Sequence, residues 1–430
     1  MLASTKLPHR DSHHLPPFVI TSNSESARFK PKKISLQCLL QSGRKPSFWV
    51  QALSVSSPSK RSPKAGVKVT VACRTLGVAQ ALTANYKSTT AIALNVANEP
   101  ENLCAAISQT DIVISIIPYV HHALVVSAAI KYSKPVVTTS YISPALWALD
   151  DQAKAAGITV LNEIGLDPGI DHLYAVKTID EVHKAGGQVK AFTSYCGALP
   201  APENSDNPLG YKFSRSPRGG LLALLNSVQW YRDNDIGYFS QKRMAVLERL
   251  GTTWVQLTIS LLGLSESSSP KEVENAVRRK IEAFVTDNDD VDRVLSGLRW
   301  IGIFGPTPVG GYRTPLDTLC AVLETRMAYQ PGERDMIVLQ HIFDIKHADD
   351  SVEKRSSTLV EYGEPLGPGC RSAMAKLVGL PRAVRVLAVL EGRIPATGMV
   401  APWSSTEITR LLRDELKDKF GIELKERIVT

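Results

Sequence analysis

"DIVISIIPYVHHALVVSAAIKYSKPVVTTSY" (Asp111–Tyr141) holds two short apolar runs, "DIVISIIP" and "PVVTTS", on either side of a helix-like stretch, His121–Tyr132. Apolar runs this short, without alternation, are the pattern of strands buried on both faces. Joined by a helix-length segment, they make a parallel crossover unit.

The same rhythm extends outward. "VKVTVA" (Val67–Ala72), "AIALNV" (Ala91–Val96) and "ITVLNE" (Ile158–Glu163) read as further strands. Helices are predicted over Leu76–Tyr86, Glu99–Ser108 and Pro144–Ala156. The fold class is therefore α/β, with a Rossmann-like parallel sheet. From about residue 186 the rhythm changes. "QVKAFTSYC" (Gln188–Cys196) reads as a strand, a loop-like stretch runs to Gly220, and helical patterns dominate to residue 300. "DMIVLQHIFDI" (Asp335–Ile345) and "STLVEYG" (Ser357–Gly363) read as an antiparallel pair, so the second domain is mixed α/β. Two late helices, Ser372–Leu390 with a kink expected at Pro381, and Glu407–Phe420, are placed to return to the first domain. The expected division is a basic, disordered or mispredicted segment over 1–66, a cofactor domain over 67–163, a substrate domain over 164–370 with a helical insert at about 219–300, and C-terminal helices over 371–430.

The charge is unevenly spread. Residues 1–66 hold 11 Lys and Arg against two acids, whereas the other 364 residues hold 39 against 40. The net charge of +8 thus belongs to the N-terminal segment, which argues against a nucleic-acid-binding body. Its composition also suits an organellar transit segment, but a cytoplasmic location is preferred. No apolar run approaches the ~20 residues that span a bilayer, so no membrane partner is expected. Six scattered cysteines without CxxC pairs fit a reducing compartment and no metal site.

In an open parallel sheet, ligands bind at the carboxyl ends of the strands. Arg74 and Thr75 follow the first strand, a cation and a hydroxyl suited to a 2′-phosphate, which points to NADP(H); the alternative is a solvated surface arginine. "TTSY" (Thr138–Tyr141) and "SIIPY" (Ser115–Tyr119) end two others. After the last comes "NEIGLDPGIDHLYA" (Asn162–Ala175). Gly165, Pro168 and Gly169 suit a turn and Asp171 an N-cap for a helix beginning at His172. Asp167 has no such structural need. No glycine-rich GxGxxG turn precedes the sheet, so its first strand–turn–helix unit is expected to be missing. Cys196 is a weak acid in a polar site or a buried filler, and Ser216 with Arg218 a phosphate contact or a helix cap.

The strings "VTVACRT", "VVTTSY", "NEIGLDPGIDHLYA", "SYCGALPAPE", "NPLGYKFS", "LDTLCAVLE", "GERDMIVLQH" and "SAMAKLVGLP" together resemble the NADP-dependent, glutamate-forming saccharopine dehydrogenases (saccharopine reductases). The resemblance implies a homodimer whose second domain binds substrate and dimerises. Its reaction joins glutamate and α-aminoadipate semialdehyde to saccharopine in lysine biosynthesis. It places Cys73, Arg74 and Thr75 at the 2′-phosphoribose, and Asn95, Val96, Ile116, Thr139, Ser140, Leu166, Asp167, Pro168 and Ser216 along NADP(H). Ser140, Tyr141 and Asp167 would face the substrate, and Asp167 or Cys196 would move the proton. Asn95 stands where the family usually has Asp, and Arg215 where it often has Trp; the family's "YPNRDS"-like arginine string has no counterpart. The alternatives are an NADP-binding paralogue with impaired catalysis, a truncated gene product, or a related secondary-amine-forming dehydrogenase.

Overall fold

The computed structural model describes residues 50–56, 68–84, 86, 89–214, 217–223, 228–232, 235–239, 253–306, 315–367 and 370–429. In the first domain, strands β2 (Lys68–Cys73), β3 (Thr89–Ala93), β4 (Ile112–Ser115), β5 (Val136–Thr138) and β6 (Thr159–Leu161) alternate with helices. These are α1 (Leu76–Thr83), α2 (Pro100–Ser108), α3 (His122–Lys131), α4 (Pro144–Trp147) and α5 (Asp150–Ala155). All residues of β4, β5 and β6 are buried, as expected of strands covered on both faces.

The seven-stranded sheet has the order β12-β6-β5-β4-β1-β2-β3. Its centre departs from the sequence-based expectation. Val50–Ser56, inside the segment expected to lack regular structure, forms β1 between β4 and β2, antiparallel to both. Eleven residues separate Ser56 from β2, fewer than the dozen or more that a parallel crossover takes, so β1 enters reversed. The sheet is therefore complete in strand positions. Among the described residues the parallel strand–turn–helix unit is missing, because the start of β1, not its end, lies beside the carboxyl ends of its neighbours (Val50 opposite Cys73).

After α6 (Ile170–Lys184), β7 (Gln188–Pro200) opens the second sheet, whose order is β13-β11-β10-β7. β10 (Asp335–Lys346) pairs antiparallel with β11 (Val352–Tyr362), as expected, and with β7; β13 (Lys425–Ile428) adds the other edge. Burial alternates strictly along β10, so one face is packed and the other open. The insert carries helices α8 (Trp254–Leu262), α9 (Pro270–Glu282) and α10 (Asn288–Ile301), but also an antiparallel hairpin, β8 (Val228–Arg232) with β9 (Asp235–Phe239), where helix was expected. Asp233-Asn234 between aromatic and β-branched runs was the available hairpin signal. α7 (Pro217–Ala223) and α11 (Pro315–Arg326) flank this region.

The C-terminal segment returns to the first domain. α12 (Ala373–Leu390) runs through Pro381 as one helix, β12 (Gly398–Val400) pairs parallel with β6, and α13 (Thr406–Phe420) packs on α6 and α12. One apolar core joins Ile112, Val137, Ile170, Leu339, Leu377 and Leu412, so both sheets close on the same helices. α12 is capped from a distance: the buried Asp335 carboxylate accepts from Ala373 N at 2.7 Å and Met374 N at 3.0 Å. Asp335→Ala leaves both amides unpaired and should cost about 2–4 kcal/mol. Urea denaturation measures this, and a loss under ~0.5 kcal/mol would show the cap to be dispensable.

Candidate active site

The carboxyl edge of the first sheet collects nearly all the residues expected along a cofactor. Cys73 ends β2, with Arg74 and Thr75 directly after it; Asn95 and Val96 follow β3, Ile116 follows β4, and Thr139 and Ser140 follow β5. Leu166–Pro168 follow β6. Arg74 is exposed and makes no hydrogen bond or ion pair with any described residue, and α1 starts just beyond it. A guanidinium beside helix N–H groups suits a phosphate. Asn95 serves its own turn: its carboxamide oxygen accepts from Ala97 N at 3.2 Å. Ser216 lies outside the described residues.

His122, which sequence reasoning passed over, ties two strand ends together. It is buried, with Nδ1 2.8 Å from Ser115 Oγ and Nε2 2.8 Å from Ser140 Oγ and 3.1 Å from Thr138 Oγ1. Burial lowers its pKa to about 4, so the ring is neutral near pH 7 and donates through one nitrogen while accepting at the other. The hydroxyls of Thr138 and Ser140 are thus oriented by a histidine. A His at the start of a helix after "SIIPY" was the only signal in the sequence.

The loop after β6 is fastened to the end of β5. Glu163 N donates to Ser140 O and Ile164 N to Thr138 O, each at 3.2 Å. Glu163, with φ +61°, turns a buried carboxylate that accepts from Ile142 N at 3.2 Å and Trp403 Nε1 at 2.8 Å. Gly165 N donates to Pro168 O at 2.8 Å, around a cis Asp167-Pro168 bond. At Gly169, φ is +146° and an added Cβ would stand 2.2–2.6 Å from Gly165 backbone atoms, so only glycine fits. The expected N-cap role of Asp171 is corrected. The helix starts at Ile170, and the Asp171 carboxylate reaches back to accept from Gly169 N at 2.5 Å.

This loop leaves Asp167 exposed, accepting from the Tyr141 hydroxyl at 2.9 Å. Burial first, then the Asp167 charge, pushes the Tyr141 pKa well above its usual value, so the phenol stays protonated. Burial also raises Asp171, with the Asp167 charge adding to the shift and His172 opposing it. His172 Nδ1 stands 3.3 Å from Glu163 Oε2. Three carboxyl groups, a neutral phenol and an imidazole are so gathered at the end of the sheet, a set able to hold and pass a proton.

Cys196 is exposed on β7, paired with Leu339 of β10 and on the same sheet face as the Ser194–His341 pair. It is therefore not a buried filler. His341 is fully buried between Phe192 and Phe343, with ring centroids at 5.3 and 6.0 Å, and neither ring nitrogen has a hydrogen-bond partner among the described residues. Burial drops its pKa to about 4, with Asp167 opposing the drop. Arg385 on α12 is likewise fully buried without a hydrogen bond among the described residues, and burial pushes its pKa down to about 9 with the Asp171 carboxylate opposing. The alternating burial along β10 puts His341 inside, and nothing in the sequence placed Arg385 near Asp171.

Two family models match in series: the saccharopine dehydrogenase NADP binding domain over residues 59–161 and the saccharopine dehydrogenase C-terminal domain over residues 165–422. The chain belongs to the saccharopine dehydrogenase family. It is 43% identical to a saccharopine dehydrogenase [NADP(+), L-glutamate-forming] of Pyricularia oryzae, with 85% of this chain and 94% of the relative covered. That alignment spans 430 residues, more than 85% of this chain supplies, so the relative carries residues without counterparts here. The enzyme of the same name from Saccharomyces cerevisiae is 43% identical, with 84% and 94% covered. The solved apo structure of the S. cerevisiae saccharopine dehydrogenase (L-Glu forming) matches with a TM-score of 0.71 at 42% identity, covering 84% of this chain and 94% of the other. The α/β fold with a Rossmann-like domain and a second domain is therefore that of the family.

The two neutral histidines make stability pH-dependent. Their folded pKa values, about 4, lie below the ordinary 6.5, so the unfolded chain takes up protons that the fold refuses. Stability from each is full above pH 6.5 and is lost as pH falls toward 4. His341→Phe removes one share. Between pH 7 and pH 4.5 it should lose about 2 kcal/mol less than the unsubstituted chain in urea melts. Equal losses would show that burial does not shift the His341 pKa.

Proposed function

We propose that the chain is an NADP-dependent saccharopine dehydrogenase, L-glutamate-forming, an oxidoreductase acting on a CH–NH bond. The observation that carries this is the hydrogen-bonded Tyr141–Asp167 pair at the carboxyl edge of the sheet, in line with the cofactor residues. The family match supports the same reading.

Cys73, Arg74 and Thr75 would hold the 2′-phosphoribose, and Asn95, Val96, Ile116, Thr139, Ser140 and Leu166–Pro168 would line the rest of NADP(H). Arg74 fits that task because its guanidinium is exposed and unengaged by described residues. The reversed β1 cannot supply a strand–turn–helix phosphate site, so the 2′-phosphate end carries more of the binding. When bound, NADPH supplies the hydride.

The glutamate amine attacks the aldehyde carbon of α-aminoadipate semialdehyde. Loss of water then gives an imine, which takes up a proton at nitrogen and a hydride at carbon to become the secondary amine of saccharopine. Asp167 takes the proton the amine releases, and Tyr141 holds that carboxylate through its hydroxyl. Asp171, held partly protonated by burial, can return a proton to the departing hydroxyl. Cys196 is the alternative proton donor from the β7 edge. Ser140 and Tyr141 orient the amino-acid end, with Ser140 itself fixed by His122.

The open face of the second sheet suits a homodimer. Tyr195, Val360 and Tyr362 are exposed on it, in register with Gln340, Val338 and Met336. A cytoplasmic location fits five described cysteines with no disulfide among them. Among the described residues no helix is long and apolar enough to cross a membrane, and no cluster suits a metal ion.

With glutamate, α-aminoadipate semialdehyde and NADPH, Asp167→Asn should turn over at least ~100-fold more slowly than the unsubstituted chain, within the range for a lost acid–base group. Circular dichroism should be unchanged. Turnover within threefold would remove Asp167 from the chemistry. In fluorescence titrations, Arg74→Ala should weaken NADPH binding ~10-fold or more while changing NADH binding less than twofold. Equal losses for both nucleotides would refute the 2′-phosphate assignment.

A further inference from the structure

The second domain carries a partly open cavity of about 130 Å³, and none of the described candidate active-site residues lines it. Asp335, on its wall, begins β10, and His341 lies six residues along that strand, about 20 Å away at the ordinary rise. By comparison with the ~150 Å³ cavity that holds benzene, this one admits a ligand of about five or six non-hydrogen atoms.

Its walls are two-sided. Phe213, Leu323 and Met327 supply apolar surface. Against them stand the Ser214 and Tyr329 hydroxyls, buried and without a hydrogen-bond partner among the described residues. Glu324 also faces the cavity and makes no hydrogen bond or ion pair with any described residue. The other charged lining groups are already engaged. Glu333 is held by Lys212 at 2.6 Å and Gln330 N at 2.7 Å, Asp335 caps α12, and Glu364 accepts from Arg371 N at 2.7 Å. Arg334, the one cation among the described lining residues, donates to Glu203 at 2.6 Å and lies over the Tyr362 ring.

Among the described lining residues an anion would meet four carboxylates and no available cation. A neutral apolar molecule would leave the buried Ser214 and Tyr329 hydroxyls unsatisfied, at the cost that buried polar groups carry, and the half-buried Glu324 carboxylate without a partner. An ammonium group brings three donors and a positive charge, which matches one unengaged carboxylate and two hydroxyl oxygens. We propose that this cavity binds a short primary alkylammonium ion. Its nitrogen donates to Glu324, Ser214 and Tyr329, and its stem lies against Phe213, Leu323 and Met327. The site is separate from the proposed catalytic residues and does not depend on their chemistry.

The test is thermal unfolding of the full chain in n-butylammonium chloride, with sodium chloride at equal ionic strength and n-butanol at equal concentration as controls. The expected result is a saturable rise in Tm with a midpoint of ~1–10 mM, the range for so small a ligand. n-Butanol should give less than a third of the shift. Glu324→Gln and Tyr329→Phe should each raise the midpoint ~10-fold, while Asp167→Asn leaves it unchanged. An equal effect of n-butanol, an unchanged midpoint in both variants, or no saturable shift by ~100 mM would overturn the proposal. Should either variant fail to fold, crystals of the unsubstituted chain soaked in n-butylammonium decide it: density in this cavity supports the site, and density only elsewhere refutes it.

Discussion

Everything at the candidate active site depends on how the loop after β6 is tied to the end of β5. Two backbone hydrogen bonds, Glu163 N to Ser140 O and Ile164 N to Thr138 O, fix the spacing between these strand ends. The Glu163 carboxylate then pins Ile142 from one side and Trp403, from the returning C-terminal segment, from the other. Only with that spacing fixed can the Tyr141 hydroxyl meet the Asp167 carboxylate. The residues beneath this pair are almost all buried, while Asp167 itself remains exposed. A rigid base carrying one accessible acid is what positioned proton transfer requires.

The same rigidity has an electrostatic side. His341 and Arg385 are buried near acids of this loop, and neither has a hydrogen-bond partner among the described residues. His341 avoids the penalty by staying neutral. Arg385 stays cationic near neutral pH, and a buried cation favours a negative charge close by. The Asp171 carboxylate, whose own ionisation burial discourages, is the acid whose field it feels. Loop, helix α12 and β10 are therefore linked by charge as well as by the shared apolar core.

Much of this was legible in the sequence, for identifiable reasons. Strands buried on both faces leave short apolar runs that only a parallel sheet explains, so β4, β5 and β6 were placed within a few residues. "DMIVLQHIFDI" and "STLVEYG" read as an antiparallel pair, but which face of β10 is packed shows only in its alternating burial, since Met336–Leu339 is an unbroken apolar run. Asp167 stood out because the turn around it needed glycines and proline but not a second acid. Other features depended on the folded context. "VQALSVS" (Val50–Ser56) carries an ordinary strand pattern, and only the space between β4 and β2, with too short a connection for a parallel crossover, sets its reversed direction. The cap expected at Asp171 shifted by two residues to Gly169, which adopts a φ closed to other residues. His122 and Arg385 carried no periodic signal at all, and their importance comes from partners far along the chain.

The reversed strand gives the account its sharpest demand. With β1 reversed, no parallel strand–turn–helix unit opens the sheet among the described residues, yet the strand ends proposed to line NADP(H) and the exposed Asp167 are in place. The most direct measurement is absorbance at 340 nm when the purified full chain is mixed with saccharopine and NADP+ at alkaline pH. The account predicts a steady, saccharopine-dependent rise that NAD+ at the same concentration does not reproduce. No rise with NADP+, from protein shown to be folded, would contradict it.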